Sequence, residues 1–341
     1  MDFAPDDTQE AVVRLAREVL GATDPPERLW KALAQAGLLG LAVPDTLGGA
    51  GLGALETALV LVEAGRRAAP LPALALALGV LPVARWGSDA QRRTLLAGVA
   101  AGDALLTAAF REPGDPMPAV PRTVGRPEVT GVKIGVGYAE RARHLLVPVT
   151  VDGGTAIAIV DPTATGVTLT RTPSATGEPE YTVRLDAVRA ELLAGGAAAD
   201  VYRYARAAAC ALGAGAVAGA LALTAAHVRH REQFGRPLAA FQAVAQRVSD
   251  VYVAARTTEL AALSACWRLA TGRPADKDLA VAAYWLASEG PAALRACHHL
   301  HGGTGLDASY PLHRYSALVK DVTRLLGGAE YTLREVACSS T

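Results

Sequence analysis

The amino-acid sequence predicts an α+β protein with three consecutive domains: a helical domain over residues 1–104, a β-barrel-like domain over 105–194 and a four-helix bundle over 195–341. Apolar residues recur at helical spacing near the amino terminus. Short β-branched runs divided by Gly and Pro fill the middle, and long alanine-rich stretches, which favour helix, fill the remainder. With 341 residues, 51% hydrophobic and 19% charged, the chain has a globular composition and enough length for such cores.

The amino-terminal domain is predicted to consist of amphipathic helices separated by short loops. Because proline cannot continue a helix, the pair Pro25-Pro26 should end the first one. The glycine-dense segment Pro44–Gly53 is predicted to be a loop, since glycine permits backbone conformations that other residues resist. The helical pattern covers Asp7–Leu20, Leu29–Leu39, Leu55–Ala69 and the stretch around Gln91–Ala97.

The middle and carboxy-terminal domains differ in their predicted elements. The middle domain should be all β, because β-branched residues cluster in short runs. The runs are Ala119-Val120, Val132–Ile134, Leu145–Val149, Ala156–Val160, Val167–Thr170 and Tyr181–Leu185. Four long helices are predicted to follow as a bundle, the last of them broken near Gly327-Gly328. They are Ala205–Arg231, Phe241–Gly272, Lys277–His298 and Arg314–Cys338.

Charge and cysteine usage exclude several classes of partner. The chain carries 33 Lys and Arg against 33 Asp and Glu, so no net charge attracts nucleic acid or an anionic membrane. Its cysteines form no CxxC pair, which indicates a reduced, intracellular protein. The acidic start lacks a signal peptide, and the longest apolar stretch, Leu71–Ala84, is too short to span a bilayer. We expect a cytoplasmic protein that binds neither nucleic acid nor membrane.

Two glycine-punctuated segments near the carboxy terminus carry the clearest functional signal. The first is Arg231–Leu238, with the sequence REQFGRPL and followed by Phe241-Gln242; the second is His299–Gly305, with the sequence HLHGGTG. Together with the domain order, they resemble the ADP-binding half of the flavin site in acyl-CoA dehydrogenases. Further segments similar to that family are Leu29–Leu33, Gly37–Leu41, Leu47–Gly51 and Val183–Val188. The resemblance therefore covers nearly the whole chain.

The resemblance implies that FAD binds across two subunits, with one chain's bundle holding the pyrophosphate and adenosine. Arg231 would pair with the pyrophosphate, since a guanidinium offers bidentate, charge-assisted bonds. Phe234 would pack on the cofactor, Gln242 would hydrogen-bond it, and His299 stands where the family usually has glutamine. The implied cofactor-binding residues are Arg231, Gln233, Phe234, Leu238, Gln242, His299, Gly302 and Gly303. The two glycines would let the backbone approach the nucleotide without a Cβ in the way.

The catalytic carboxylate of the family has no counterpart at either of its two usual positions. In the family, a carboxylate at one of these positions removes the α proton of the acyl thioester. The positions correspond to Leu326, counted from Tyr310-Pro311, and to Ala205, about 26 residues before the arginine of the first motif. Neither side chain can accept a proton. Glu330 and Asp321 are the nearby carboxylates that a relocated base could use, but we predict no catalytic residue in this chain.

The segments that bind the flavin ring in the family also differ here. In place of its Thr-Glu-Pro-type loop the chain has Phe110–Asp115, with the sequence FREPGD. In place of its tryptophan-containing segment it has Val132–Gly137, without tryptophan or asparagine. The chain therefore resembles the non-catalytic subunit of actinobacterial two-plus-two heterotetramers that oxidise steroid side-chain CoA thioesters. Its implied partners are a catalytic subunit, an acyl-CoA bound mainly by that subunit, and an electron-transfer flavoprotein.

Three functions remain open at this level. The chain could complete the flavin site of a heteromeric dehydrogenase, act as a self-sufficient homotetrameric enzyme with a base such as Glu330, or serve as a scaffold without flavin or CoA. Two further patterns are interpreted as structural. Gly213–Ala218 matches GxGxxA without a preceding strand, so we expect close helix packing. The histidines of His298–His301 lack a second ligand cluster at zinc spacing, so we predict no metal site.

Overall fold

The computed structural model describes residues 4–21, 26–194 and 198–338. Its contacts divide the chain into two compact units. One contains Ala4–Val60 and Pro70–Ala208; the other contains Leu61–Ala69 and the chain from Ala209 onward. The first unit holds most of the amino-terminal helices and the two larger sheets, and the second holds most of the long helices.

The amino-terminal helices agree with the predicted order. They are α1 (Asp7–Gly21), α2 (Pro26–Gln35), α3 (Ala54–Arg66), α4 (Leu81–Trp86) and α5 (Asp89–Leu95). The predicted break after the first helix falls largely on residues 22–25, outside the described residues. The apolar stretch from Leu71 contains a buried π-helical segment, Leu76–Val80, that runs directly into α4. Sequence periodicity did not predict this element, since π-helices are rare and short.

Two sheets form the middle part of the chain. The strands are β1 (Leu106–Ala108), β2 (Val129–Gly137), β3 (His144–Val151), β4 (Gly154–Val160), β5 (Val167–Thr172), β6 (Glu180–Val188) and β7 (Glu191–Leu192). Their orders are β1-β3-β4-β7 and β2-β6-β5. Side chains of both sheets, such as Val147 and Val183, share one core. The predicted strand at Ala119-Val120 is wrong: it is a bend between Pro118 and Pro121, which have no N–H to donate to a neighbouring strand.

The long helices follow the sheets. They are α6 (Ala198–His230), α7 (Gln242–Ala270), α8 (Asp276–His301), α9 (Leu312–Leu325) and α10 (Gly328–Cys338). In the second unit, α8 packs against α7, α9 and α10. The break between the last two helices occurs where predicted, at Gly327 and Gly328, whose φ angles are 91° and 82°. Positive φ is accessible to glycine because it lacks a Cβ.

The glycines of α6 allow close helix packing. A Cβ on Gly215 would lie 2.0 Å from the Val62 carbonyl oxygen, and one on Gly219 would lie 2.4 Å from that of Arg66. Since such distances are impossible, the small residues let α3 contact the α6 backbone directly. The GxGxxA pattern therefore serves packing. Helix α6 is long and apolar enough to cross a membrane, but 78% of its most apolar window is buried in the protein, as in the core helix of a soluble fold.

Candidate functional site

The first motif forms a short hairpin at the end of α6. Strands β8 (Glu232–Gln233) and β9 (Arg236–Pro237) pair antiparallel, and the Leu238 N–H donates to the Arg231 carbonyl at 2.8 Å. The two turn residues, Phe234 and Gly235, have φ angles of 54° and 76°. Positive φ at both positions is the signature of a tight type I′ turn, which is unusual for phenylalanine.

The aromatic and cationic side chains of this hairpin lie on its surface. The Phe234 side chain is 91% exposed, and its ring lies edge-on to Phe241 with centroids 6.1 Å apart. The Arg236 guanidinium also packs on the Phe241 ring, 4.1 Å from its centroid. A large aromatic residue held exposed in a strained conformation points to a function beyond packing. Arg236 and Phe241 were not among the residues predicted from the sequence.

The second motif forms a turn at the end of α8. Gly302 has a φ of 57°, and its N–H donates to the His299 carbonyl. His299, Gly302 and Gly303 are exposed, and a Cβ added to either glycine would meet nothing within 4 Å. Leu306, at the end of the turn, is 84% exposed. The backbone here faces open space, so a ligand could approach it directly.

Two histidines join the ends of α6 and α8 beneath these segments. The His227 and His301 rings stack with centroids 4.3 Å apart and planes 25° apart. The Arg231 N–H donates to the His227 carbonyl at 2.9 Å, and His301 directly precedes Gly302. The stack therefore brings the start of the hairpin and the start of the turn to the same end of the two helices. The sequence analysis did not single out His227 and weighed His301 only as a possible metal ligand, although their spacing before Arg231 and Gly302 was a usable signal.

The surface formed by the hairpin and the turn, which we call the cradle, carries excess positive charge. Arg231 and Arg236 are exposed, against one carboxylate, Glu232, in the same hairpin. Within the part of the chain that the structure describes, none of these guanidiniums forms a salt bridge with an Asp or Glu. Predicted residues Gln233, Leu238 and Gln242 also lie here, with Leu238 half-buried and both glutamines exposed. Exposed guanidiniums and an accessible glycine backbone suit a dinucleotide pyrophosphate.

The two positions considered for a catalytic base are buried and apolar. Leu326 and Ala205 are each 1% exposed, in the apolar interior. Of the possible replacements, Glu330 is exposed in the first turn of α10, and the half-buried Asp321 pairs with Arg324 at 3.1 Å. No arrangement around these four residues resembles a carboxylate held in a dry pocket.

The two segments at the ring-binding positions contact each other through a buried ion pair. The Lys133 Nζ lies 2.7 Å from the Glu112 Oε1, and both side chains are at most 1% exposed. Glu112 also accepts hydrogen bonds from the Thr123 N–H and hydroxyl and from the Arg122 N–H. Burial raises the pKa of Glu112, but these bonds and Lys133 outweigh it and lower the pKa to about 2. Burial lowers the pKa of Lys133, opposed by Glu112.

The chain matches known sequences along its whole length. A model of the acyl-CoA dehydrogenase amino-terminal domain matches residues 5–103, and a model of the carboxy-terminal domain matches residues 196–339. Acyl-CoA dehydrogenase FadE28 of Mycobacterium tuberculosis is 46% identical over 349 residues, covering 100% of both chains. Acyl-CoA dehydrogenase FadE27 of the same organism is 32% identical over 369 residues, covering 98% of each chain.

Solved structures agree with these sequence matches. A variant of the Tcur3481–Tcur3483 steroid ACAD is 34% identical with a TM-score of 0.91, covering 97% of both chains. The ChsE4–ChsE5 complex from Mycobacterium tuberculosis is 31% identical with a TM-score of 0.90, covering 99% of this chain and 98% of that one. The cofactor is FAD, and the residues of the cradle fit its charged diphosphate. The helical, sheet and helical parts, the two motifs and these matches lead to one assignment: the chain belongs to the acyl-CoA dehydrogenase family.

Proposed function

We propose that this chain is the non-catalytic subunit of a heteromeric acyl-CoA dehydrogenase and that its cradle completes an FAD site whose ring and base lie in a partner subunit. The observation that carries the proposal is the pairing of an exposed cationic cradle with apolar residues at both base positions. A surface built to bind an anion but left open suits a site shared between subunits. Bound FAD supplies the hydride acceptor for α,β-dehydrogenation of an acyl thioester.

The residues of this chain have binding roles in the proposal. Arg231 holds the pyrophosphate by charge, and Phe234 supplies an aromatic face to the cofactor. Gln242 and His299 add hydrogen bonds, while Gly302 and Gly303 allow close backbone approach. A second flavin is not expected, because the segment Val132–Gly137 has no tryptophan or asparagine at the ring-binding position.

The substrate class and partners follow from relatives. The Tcur3481–Tcur3483 enzyme is described as a steroid ACAD and its name joins two chains, as does that of the ChsE4–ChsE5 complex. We extend both features to this chain: a steroid side-chain CoA thioester as substrate and a catalytic dehydrogenase as partner in a two-plus-two heterotetramer. An electron-transfer flavoprotein is the proposed acceptor, and the cytoplasm the proposed location.

Flavin stoichiometry tests the proposal. The chain alone should purify nearly colourless, because half a binding surface cannot offset the entropy lost on binding. Co-purified with its catalytic partner, it should give one FAD per heterodimer, measured as extracted flavin against protein. Near-stoichiometric FAD in the isolated chain, or two FAD per heterodimer, would indicate a self-sufficient enzyme. A complex without flavin under all conditions would indicate a scaffold.

Removing the candidate relocated base is expected to have little effect. Glu330→Ala should leave the turnover of the complex within about twofold of the unmodified complex, because this exposed carboxylate faces no enclosed pocket. The measurement is the steady-state rate of thioester oxidation, with circular dichroism to confirm folding. Asp321→Ala provides a second carboxylate for comparison. A fall of roughly a thousandfold, about 4 kcal/mol in the barrier, would identify Glu330 as a base and overturn the proposal.

A further inference from the structure

The stacked histidines lie where the two halves of the cradle begin. His227 is on the last turns of α6, one helical turn before Arg231, and His301 is the last residue of α8. Their centroid separation of 4.3 Å is direct ring contact. His301 is buried and His227 half-buried. The contact therefore couples the hairpin to the turn through two side chains that can gain charge.

The hydrogen bonds of His301 define its uncharged form. Its Nδ1 lies 2.8 Å from the Cys297 carbonyl, which only accepts, so Nδ1 carries the proton. The Nε2 then accepts from the Tyr310 hydroxyl at 3.1 Å. The neighbouring His298 connects the Gly305 carbonyl at 3.0 Å with the Ser316 hydroxyl at 2.6 Å. The turn is thus held by His298 and His301, since both ring nitrogens of each imidazole take part in hydrogen bonds.

The charges that act on the two rings all oppose protonation. Burial lowers the pKa of His227, and the neighbouring His301 and Arg231 lower it further. Burial also lowers the pKa of His301, opposed by the Cys297 carbonyl and reinforced by His298. Tyr310, before α9, contributes a neutral hydroxyl. Among the described residues, no Asp or Glu forms a salt bridge with either ring, so two adjacent positive charges here would be uncompensated.

We propose that His227 and His301 are positioning residues that hold the Arg231 hairpin against the Gly302–Gly303 turn through their stacked rings, and that protonation of both rings releases the cradle. A single charge is tolerated, since one imidazolium can stack on a neutral imidazole. Two charges at 4.3 Å repel in a partly dry site. The consequence for FAD rests on the proposed function above, whereas the coupling of the two segments does not.

The direction of the pH effect follows from the two lowered pKa values. A base whose folded pKa lies below its unfolded value stabilises the folded segment above the unfolded pKa, about 6.5 for histidine. That contribution is lost as the pH falls through the folded values. The cradle is therefore ordered near neutral pH and loosens on acidification below the unfolded histidine value of about 6.5.

Hydrogen exchange on the full-length chain tests the coupling without flavin. Between about pH 7.5 and 5.5, peptides covering 227–238 and 298–306 should lose roughly tenfold in protection, after correction for the pH dependence of intrinsic exchange. In His227→Gln, which lacks both the stack and the second charge, the two segments should already exchange faster at about pH 7.5, and little further protection should be lost on acidification. His230→Gln is the matched control, because it removes an exposed histidine from the same helix and should behave like the unmodified chain. Protection that does not change with pH, or an unaltered loss in His227→Gln, overturns the proposal.

Flavin retention in the heteromeric complex tests the consequence for FAD. Over the same pH range the complex should release FAD on acidification, whereas the His227→Gln complex, which lacks the stack, should hold FAD about tenfold more weakly at about pH 7.5 and change little with pH. Equal release in both would overturn the link between the histidines and the cofactor. A complex that binds no FAD at any pH would contradict the proposed function, and the exchange experiment would still decide on the histidine pair.

Discussion

Arg231→Ala is expected to weaken FAD binding to the proposed heteromeric complex by roughly 30- to 900-fold, although the proposed site of chemistry lies in the other subunit. The pyrophosphate would lose a charged hydrogen-bonding partner in a site that becomes partly buried on assembly, a loss of about 2–4 kcal/mol. Fluorescence of released flavin during dilution of the complex measures this directly.

Two matched variants separate the loss of the Arg231–pyrophosphate contact from the loss of a nearby positive charge in general. Arg229→Ala removes the same charge two residues earlier on α6 and should weaken FAD binding by less than about threefold. Arg231→Lys retains the charge but loses the planar, bidentate donor geometry. The FAD affinity of this complex should therefore lie between those of the Arg231→Ala and Arg229→Ala complexes. Full flavin occupancy of Arg231→Ala at micromolar dilution would show that the pyrophosphate assignment is wrong.

Lys133→Met is expected to reduce the free energy of unfolding by about 3–5 kcal/mol, because it leaves the Glu112 carboxylate buried without its ammonium partner. Lys133 is 0% exposed, and its Nζ lies 2.7 Å from Glu112. Urea denaturation of the full-length chain measures the change. Lys31→Met, at an exposed lysine of the same compact unit, should change stability by less than about 0.5 kcal/mol.

The double variant Glu112→Gln with Lys133→Met should recover part of that loss. It leaves no charge at this buried position, and the amide oxygen of glutamine can still accept from the Thr123 N–H. Because the Glu112 pKa is lowered from 4.5 to about 2, its contribution to stability is present above about pH 4.5 and is lost as the pH falls toward 2. The double variant should lack this acid dependence. If Lys133→Met alone is as stable as the unmodified chain, the Glu112–Lys133 pair contributes nothing to the free energy of unfolding.

Local sequence patterns were sufficient for most of the elements. Helices such as α1 and α7 follow from apolar residues repeated along one face, and strands such as β6 from alternation, because both periods are local properties of the backbone. The errors arose where the local signal was weak. Ala119-Val120 is too short between prolines to pair, and the π-helical stretch Leu76–Val80 has no periodicity that distinguishes it from a buried strand.

Some residues of the candidate site could also be identified from the local sequence, and others could not. Arg231, Phe234 and Gly302 could be singled out from spacing and resemblance, since each lies in a short contiguous motif. Arg236 lies in the same motif as Arg231 and Phe234, but its position over the Phe241 ring depends on a contact that forms only when the hairpin folds. The roles of the predicted residues remain predictions until the flavin experiments are done.

The sequence by itself determined the family, the order of helices and strands, the two motifs and the lack of a carboxylate at Ala205 and Leu326. All of these are properties of residue identity and short-range spacing. Only the tertiary structure decided that Glu112 pairs with Lys133, that His227 stacks on His301, and that the cradle is open. Pairing and exposure depend on contacts between segments far apart in the chain, and burial turns an ordinary lysine or histidine into one whose charge has a large energetic effect.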